Sequence, residues 1–300
     1  MRGRYVRHPS IGIRATATAV LGAVAVATGL AAPVSAQPSY DSYVALGDSF
    51  VAGPGIPPAS SGEDCGRSQS NYPHLVAEAL GVREFTDVSC SGAVSADLAG
   101  QQVTPLTRTA VPPQYDALRP DTDLVTVGIG GNDVGLVALA VSCINVAPPP
   151  NGTSCSDTDA AGPDPITTTI DAFAPVYREI TEEIRTRSPR ARILFVGYPT
   201  GIRDGGCFPE QRIWPQDATY LESAIEHLDV AMEKQVSAAG AEFVDLRAST
   251  VGHDACAAPD QRWMEGVVPT SPAIPLHPNA AGHRNAADQV LGAVRRAPSS

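Results

Sequence analysis

What most constrains this chain is a repeated exchange between two periodicities. Short apolar, β-prone runs stand at 43–46, 85–88, 123–129, 192–197 and 242–246. Between and after them lie stretches with apolar residues every three or four positions, at 71–80, from about 133 to 140, and at 166–187, 216–239 and 279–294. Runs of the first kind read as strands and of the second as helices. Strands that alternate with helices pair in parallel, because the crossover must return to the same end of the sheet, and its helices cover both faces. The expectation is an α/β fold, a five-stranded parallel sheet between two helical layers, in one domain. The stretch 166–187 is expected to be the longest helix, with Ile170, Phe173, Val176, Ile180 and Ile184 on one face. Residues 143–165 are rich in Pro, Gly, Ser and Asp and read as a loop insertion, and a short helix is expected before Pro120.

In such a sheet the carboxyl ends of the strands share one edge, which is where ligands bind. The run Tyr43–Leu46 leads straight into Gly47-Asp48-Ser49-Phe50 and so places Ser49 at that edge. Gly92 follows the second strand, Asn132 follows the third in Gly130-Gly131-Asn132-Asp133, and His277 precedes the last helix in His277-Pro278-Asn279. A serine hydroxyl becomes a nucleophile when a base stands within about 3 Å and donors face the developing oxyanion. His277 is the candidate base. The Ser49 amide, the Gly92 amide and the Asn132 carboxamide are the candidate donors. Each has an ordinary use as well: a β-turn, a tight turn, a helix cap, an exposed loop histidine. It is the four together, in order at strand ends, that point to hydrolytic chemistry. Asp48 and Asp133 read as braces for their loops. No G-x-S-x-G pentapeptide occurs, which removes the nucleophile elbow of the α/β-hydrolase type.

The amino terminus narrows the setting. Arg2, Arg4, Arg7 and Arg14 precede a charge-free run from Ala15 to Ala32, and Val34-Ser35-Ala36 has the small-residue pattern of a cleavage site. A signal peptide, residues 1–36, is expected, leaving a secreted chain of residues 37–300. The run is too weakly hydrophobic for a membrane span and no other stretch is long enough, so stable membrane insertion is not expected. The formal net charge is −11, and losing an arginine-bearing leader makes the remainder more acidic still. Nucleic acid is therefore a poor partner. Six cysteines, Cys65, Cys90, Cys143, Cys155, Cys207 and Cys256, in an exported chain argue for disulfides, and spacing alone does not choose the pairing. No C-x-x-C pair occurs, and neither a zinc site nor any other metal or cofactor is expected.

Taken with their order, the blocks around Ser49, Gly92, Asn132 and His277-Pro278-Asn279-Ala280-Ala281-Gly282-His283 resemble those of the GDSL or SGNH hydrolase family. The resemblance spans nearly all of the chain after the leader and is strongest to the secreted actinomycete lipases and esterases. It implies a three-layer α/β/α flavodoxin-like sandwich and hydrolysis of carboxylic esters through an acyl-serine. It also implies Ser49 and His277 as catalytic residues, and Ser49, Gly92 and Asn132 as the oxyanion hole. The cysteines would join as neighbours: Cys65–Cys90, Cys143–Cys155 and Cys207–Cys256. One departure stands out. The family usually carries Asp three residues before the histidine, where this chain has Ile274, and Asp260 and Glu265 are out of register. A Ser-His dyad follows, with His277 Nδ1–H donating to the carbonyl of Ile274 or Pro275. A small-molecule or lipid ester is the expected substrate, and a monomer the expected state. The alternatives are a carbohydrate acetyl esterase, which the low aromatic content of 5% disfavours, and a non-catalytic binding module, which has no need to keep Ser49, Asn132 and His277.

Overall fold

Five strands build the sheet: β1 (Ser42–Gly47), β2 (Glu84–Asp87), β3 (Leu124–Gly128), β4 (Arg192–Val196) and β5 (Glu242–Val244). This computed structural model describes residues 39–60, 64–104, 107–157 and 164–296, with 1–6, 8–10 and 12. The apolar run and cleavage site of the expected leader lie outside the described residues, as do 158–163 of the expected insertion.

All pairings are parallel, in the order β2-β1-β3-β4-β5. This is the doubly wound flavodoxin-like arrangement, with the strand order reversing between β1 and β3. Alternate strand residues serve opposite layers, as a period of two requires. Val44, Leu46, Val125, Val127, Ile193 and Phe195 belong to one buried cluster, and Tyr43, Ala45, Leu124, Leu194 and Val196 to the other. Helices α1 (Tyr72–Leu80) and α6 (Ala280–Arg295) close the second cluster with Tyr72, Val76, Val290 and Leu291. The first is closed by α3 (Pro165–Phe173), α4 (Val176–Arg187) and α5 (Pro215–Ala238), through Ile170, Tyr177, Ile184, Leu228 and Met232. Helix α2 (Leu136–Ser142) follows β3 on the edge that carries the site.

Three expectations need correction. The stretch 166–187 is two helices, because Pro175 has no N–H to donate; it stands where the second helix starts and none is needed. Both pieces still bury one common stripe. The longest helix among the described residues is instead α5, at 24 residues. Strand boundaries also shift slightly: the second strand ends at Asp87 and the fifth at Val244. A small antiparallel pair, Gln102–Val103 with Ala110–Val111, stands apart from the main sheet.

Three disulfides join neighbours in the sequence: Cys65–Cys90, Cys143–Cys155 and Cys207–Cys256. The first ties the loop after β1 to the loop after β2. Gly47, where β1 ends, has no room for a side chain, since a Cβ there would stand 2.4 Å from Gly128 O and from Val51 Cγ2. Its φ of +150° also favours glycine. Buried Gln114 grips the same residue, donating to Gly47 O at 2.9 Å and accepting from Gly47 N at 2.7 Å. The main chain thus turns sharply and rigidly just before Ser49.

Candidate active site

Asp48 caps a single helical turn, Ser49–Ala52, by accepting the Phe50 amide at 2.8 Å. Its other oxygen accepts the Tyr198 hydroxyl at 2.7 Å, and that hydroxyl accepts the Gly131 amide at 2.7 Å. Three strand ends, after β1, β3 and β4, are locked together by this chain of bonds. Burial pushes the fully enclosed Asp48 carboxyl up to about 7, against the pull of its bonds to Tyr198 and Phe50. The reading of Asp48 as a brace fits these contacts. As the first residue of its turn, Ser49 has an amide with no partner inside the helix.

Ser49 Oγ lies 2.7 Å from His277 Nε2. The other ring nitrogen, Nδ1, is 2.8 Å from the Pro275 carbonyl oxygen. A carbonyl only accepts, so Nδ1 carries the proton, and the neutral ring presents a lone pair at Nε2 to the Ser49 hydroxyl. Among the described residues, no carboxylate hydrogen-bonds this ring. His277 is 5% exposed. Burial holds its pKa below the ordinary histidine value, partly opposed by the bond to Pro275. Phe50 packs between it and Tyr198, with ring centroids 4.9 and 5.0 Å away. Leu276, just before the histidine, has φ +62°, a left-handed turn in a non-glycine residue that folds the ring back over the Pro275 carbonyl.

The remaining sequence-selected residues sit on the two adjoining loops. Asn132 donates from Nδ2 to Ala93 O at 2.9 Å and retains a second N–H. It does not cap α2, whose cap position is Gly135. Asp133 accepts the Ser95 amide at 2.9 and 3.0 Å and its hydroxyl at 2.6 Å, binding the loop after β3 to the loop after β2. Gly92 turns with φ +80°, a value that favours glycine. The hydrogen bonds of its turn use the neighbouring amides, Ser91 N to Cys65 O and Ala93 N to Cys90 O.

Ser49, Phe50 and Asn132 line a solvent-open cleft of about 750 Å³. Leu136, Val137 and Ala140 of α2 form part of its wall, Leu221 and Ile225 of α5 another, and Ile202, Ile213, Met264 and Leu276 complete it. These residues escaped the sequence reading, because they come from six separate places in the chain and look like ordinary core. Tyr198 was missed too; its only signal was a polar aromatic directly after a strand-ending glycine. Among the described residues, no cluster of His, Cys, Asp and Glu could hold a metal ion.

A buried hydroxyl against a neutral imidazole, at the switch point of a doubly wound sheet and beside an apolar cleft, is the arrangement of a serine-type hydrolase. The sequence model of the GDSL-like Lipase/Acylhydrolase family matches residues 45–284, and the chain belongs to that family of carboxylic ester hydrolases. It is 36% identical to Lipase 2 of Streptomyces coelicolor over 94% of this chain and 98% of that one. It is 31% identical to an esterase of Streptomyces scabiei, over 94% of each chain. Among solved structures, phospholipase A1 from Streptomyces albidoflavus superposes with a TM-score of 0.67 at 26% identity, covering 85% of this chain and 99% of that one. An extracellular lipase from Streptomyces rimosus shares the fold, with a TM-score of 0.66 at 24% identity over 84% and 99%.

Proposed function

We propose that this chain is a secreted serine esterase or lipase that cleaves lipid esters through an acyl-serine, with Ser49 and His277 as a dyad. The observation that carries the reading is the 2.7 Å contact between Ser49 Oγ and a neutral His277 Nε2, opening onto an apolar cleft. His277 Nε2 takes the Ser49 proton as Oγ bonds to the ester carbonyl carbon. The tetrahedral oxyanion is held by the amides of Ser49 and Gly92 and the free N–H of Asn132. As the intermediate collapses, the imidazolium returns its proton to the departing alkoxide and the alcohol leaves. Water, deprotonated by His277, then attacks the acyl-serine and releases the acid. The family blocks and the geometry of the site support these roles.

Acyl glycerol or a similar lipid ester suits the cleft better than an acetylated sugar. Its wall is mostly aliphatic: Asp48, Gln211 and Glu265 also line it but are buried, and Phe50 and Tyr198 are the aromatic residues that line it among those described. Helix α2 and the segment after it are uncharged: no Asp, Glu, Lys or Arg occurs from Leu136 to Asn151, and Val137, Val141 and Val146 of that stretch face solvent. Sugars need polar partners and stacking faces, and such a wall offers few. Release by cleavage after Ala36 completes the reading, supported by the arginine-led apolar run before that site and by three disulfides in the chain after it. No helix among the described residues is long and apolar enough to cross a membrane.

Hydrolysis of short and long p-nitrophenyl esters, beside acetate release from acetylated xylan, tests the assignment. The expected result is ester cleavage that improves with acyl length and little release from xylan. Ser49→Ala should be folded and inactive, since a small hydroxyl contributes little to packing. If Ser49→Ala retained more than a few per cent of the rate, roughly, the nucleophile would be another group.

A further inference from the structure

In a triad, a carboxylate on the imidazole fixes its tautomer and direction. Here a main-chain carbonyl does this, and a carbonyl is only as well placed as its loop. Residues 265–279 contain no helix or strand; an isolated antiparallel bridge between Met264 and Pro278 and a few main-chain bonds, such as Ile274 N to Pro54 O at 3.1 Å, order them. Side-chain bonds must add to these if Pro275 O is to be held in place.

Glu265 stands at the base of this loop and is fully buried. Its own amide donates to His277 O at 2.9 Å, and the adjacent Gly266 O accepts the Leu276 amide at 3.1 Å. Its carboxylate spans the loop. Oε1 accepts Asn279 Nδ2 at 2.7 Å, while Oε2 accepts the Thr270 amide at 2.7 Å and the Thr270 hydroxyl at 3.1 Å. Arg262 Nη1 lies 3.9 Å from Oε2. Asn279 is fixed further, with its amide on Trp263 O at 2.9 Å and Nδ2 on Arg262 O at 2.8 Å. The same Asn279 caps α6, accepting the amides of Ala281 and Gly282. One carboxylate therefore grips both flanks of the short turn that carries Pro275 and His277.

We propose that Glu265 is a positioning residue for the hydrolytic reaction. By holding Asn279 and Thr270 it fixes the Pro275 carbonyl, and through that carbonyl the tautomer and direction of His277. It acts where a triad carboxylate would, but one step removed from the ring. The three groups that face it most closely are all donors, so only a carboxylate satisfies them without leaving one buried N–H against another. The inference rests on His277 being the base, as proposed above.

Glu265→Gln is the decisive variant, because it keeps the shape while turning one acceptor into a donor that faces Asn279 or Thr270. With p-nitrophenyl butyrate, kcat should fall about tenfold to a hundredfold, the scale of a displaced catalytic group. KM should stay within about twofold, because Glu265 is buried and the apolar side chains of the cleft wall are all kept. The downfield proton NMR signal of His277 Nδ1–H, assigned by its loss in His277→Ala, should broaden or shift. Circular dichroism and thermal melting establish that the variant is folded at the assay temperature. A normal kcat in folded Glu265→Gln overturns the proposal, and so does a lowered kcat with the Nδ1 proton signal unmoved, which would mark a role in stability alone. Should Glu265→Gln fail to fold, Thr270→Ala removes one contact from the grip, and the same changes in kcat and in the Nδ1 proton signal support or overturn the proposal. An active Ser49→Ala would instead overturn the underlying assignment, so the two failures are distinct.

Discussion

The behaviour of His277 follows from where its two nitrogens sit. With a carbonyl rather than a carboxylate on Nδ1, no neighbouring negative charge offsets the cost of burying an imidazolium. The ring titrates below the ordinary histidine value of about 6.5. It is therefore neutral, and active as a base, at lower pH than a free histidine. The acid limb of kcat/KM against pH should have its midpoint below about 6.5, with activity held through neutrality. Asp48, raised to about 7, is a rival source for that limb. The profile of Asp48→Asn separates them: a limb that persists belongs to His277, and one that vanishes belongs to Asp48. Asn132→Ala removes one oxyanion donor and should lower kcat by roughly 10²–10³. KM should change little, since the bond matters in the transition state. A defect confined to KM would instead make Asn132 a substrate-binding group. Ser49, Asn132 and His277 were legible because each follows or precedes a regular element and belongs to an ordered block. Glu265 was not, since its register relative to the histidine is wrong for a triad and its grip on Asn279 and Thr270 exists only after folding.

Helix α2 shows what an element adds beyond its residues. Its sequence, Leu-Val-Ala-Leu-Ala-Val-Ser, reads as buried helix, yet Val137 and Val141 are exposed, and Val137 lines the cleft together with Leu136 and Ala140. It forms part of the cleft wall, as do residues of α5. A bulky side chain at Ala140 should fill that space without touching Ser49 or His277. Ala140→Trp is expected to depress kcat/KM for p-nitrophenyl palmitate at least about tenfold and to leave the butyrate within about threefold. Equal losses on both esters would mean that acyl chains do not lie along α2. The break between α3 and α4 carries the opposite lesson. Pro175 announced it in the sequence, but the apolar stripe from Ile170 to Ile184 ran across it unbroken, because both helices bury against the same core.

At the scale of the whole molecule, three disulfides close loops separated by 25, 12 and 49 residues. Each should contribute about 2–4 kcal/mol, more for longer loops in the chain-entropy account. Replacing Cys207 and Cys256 together by Ser should then lower the urea midpoint more than replacing Cys143 and Cys155. The reverse order would show that local anchoring of the segment after α2 outweighs loop closure. Strand and helix alternation, read from the sequence alone, determined the parallel sheet, since period two and period 3.6 leave few ways to bury both faces. It also determined the edge on which Ser49 and Asn132 lie, because parallel strands end together. What only the tertiary structure decided was everything that depends on residues far apart in the chain. The cleft wall comes from six places in the chain, the Asp48–Tyr198–Gly131 lock joins three strand ends, and Glu265 grips Asn279 and Thr270 on either side of the carbonyl that meets His277. Such contacts leave no period in a sequence, because their spacing is set by the path of the chain through space.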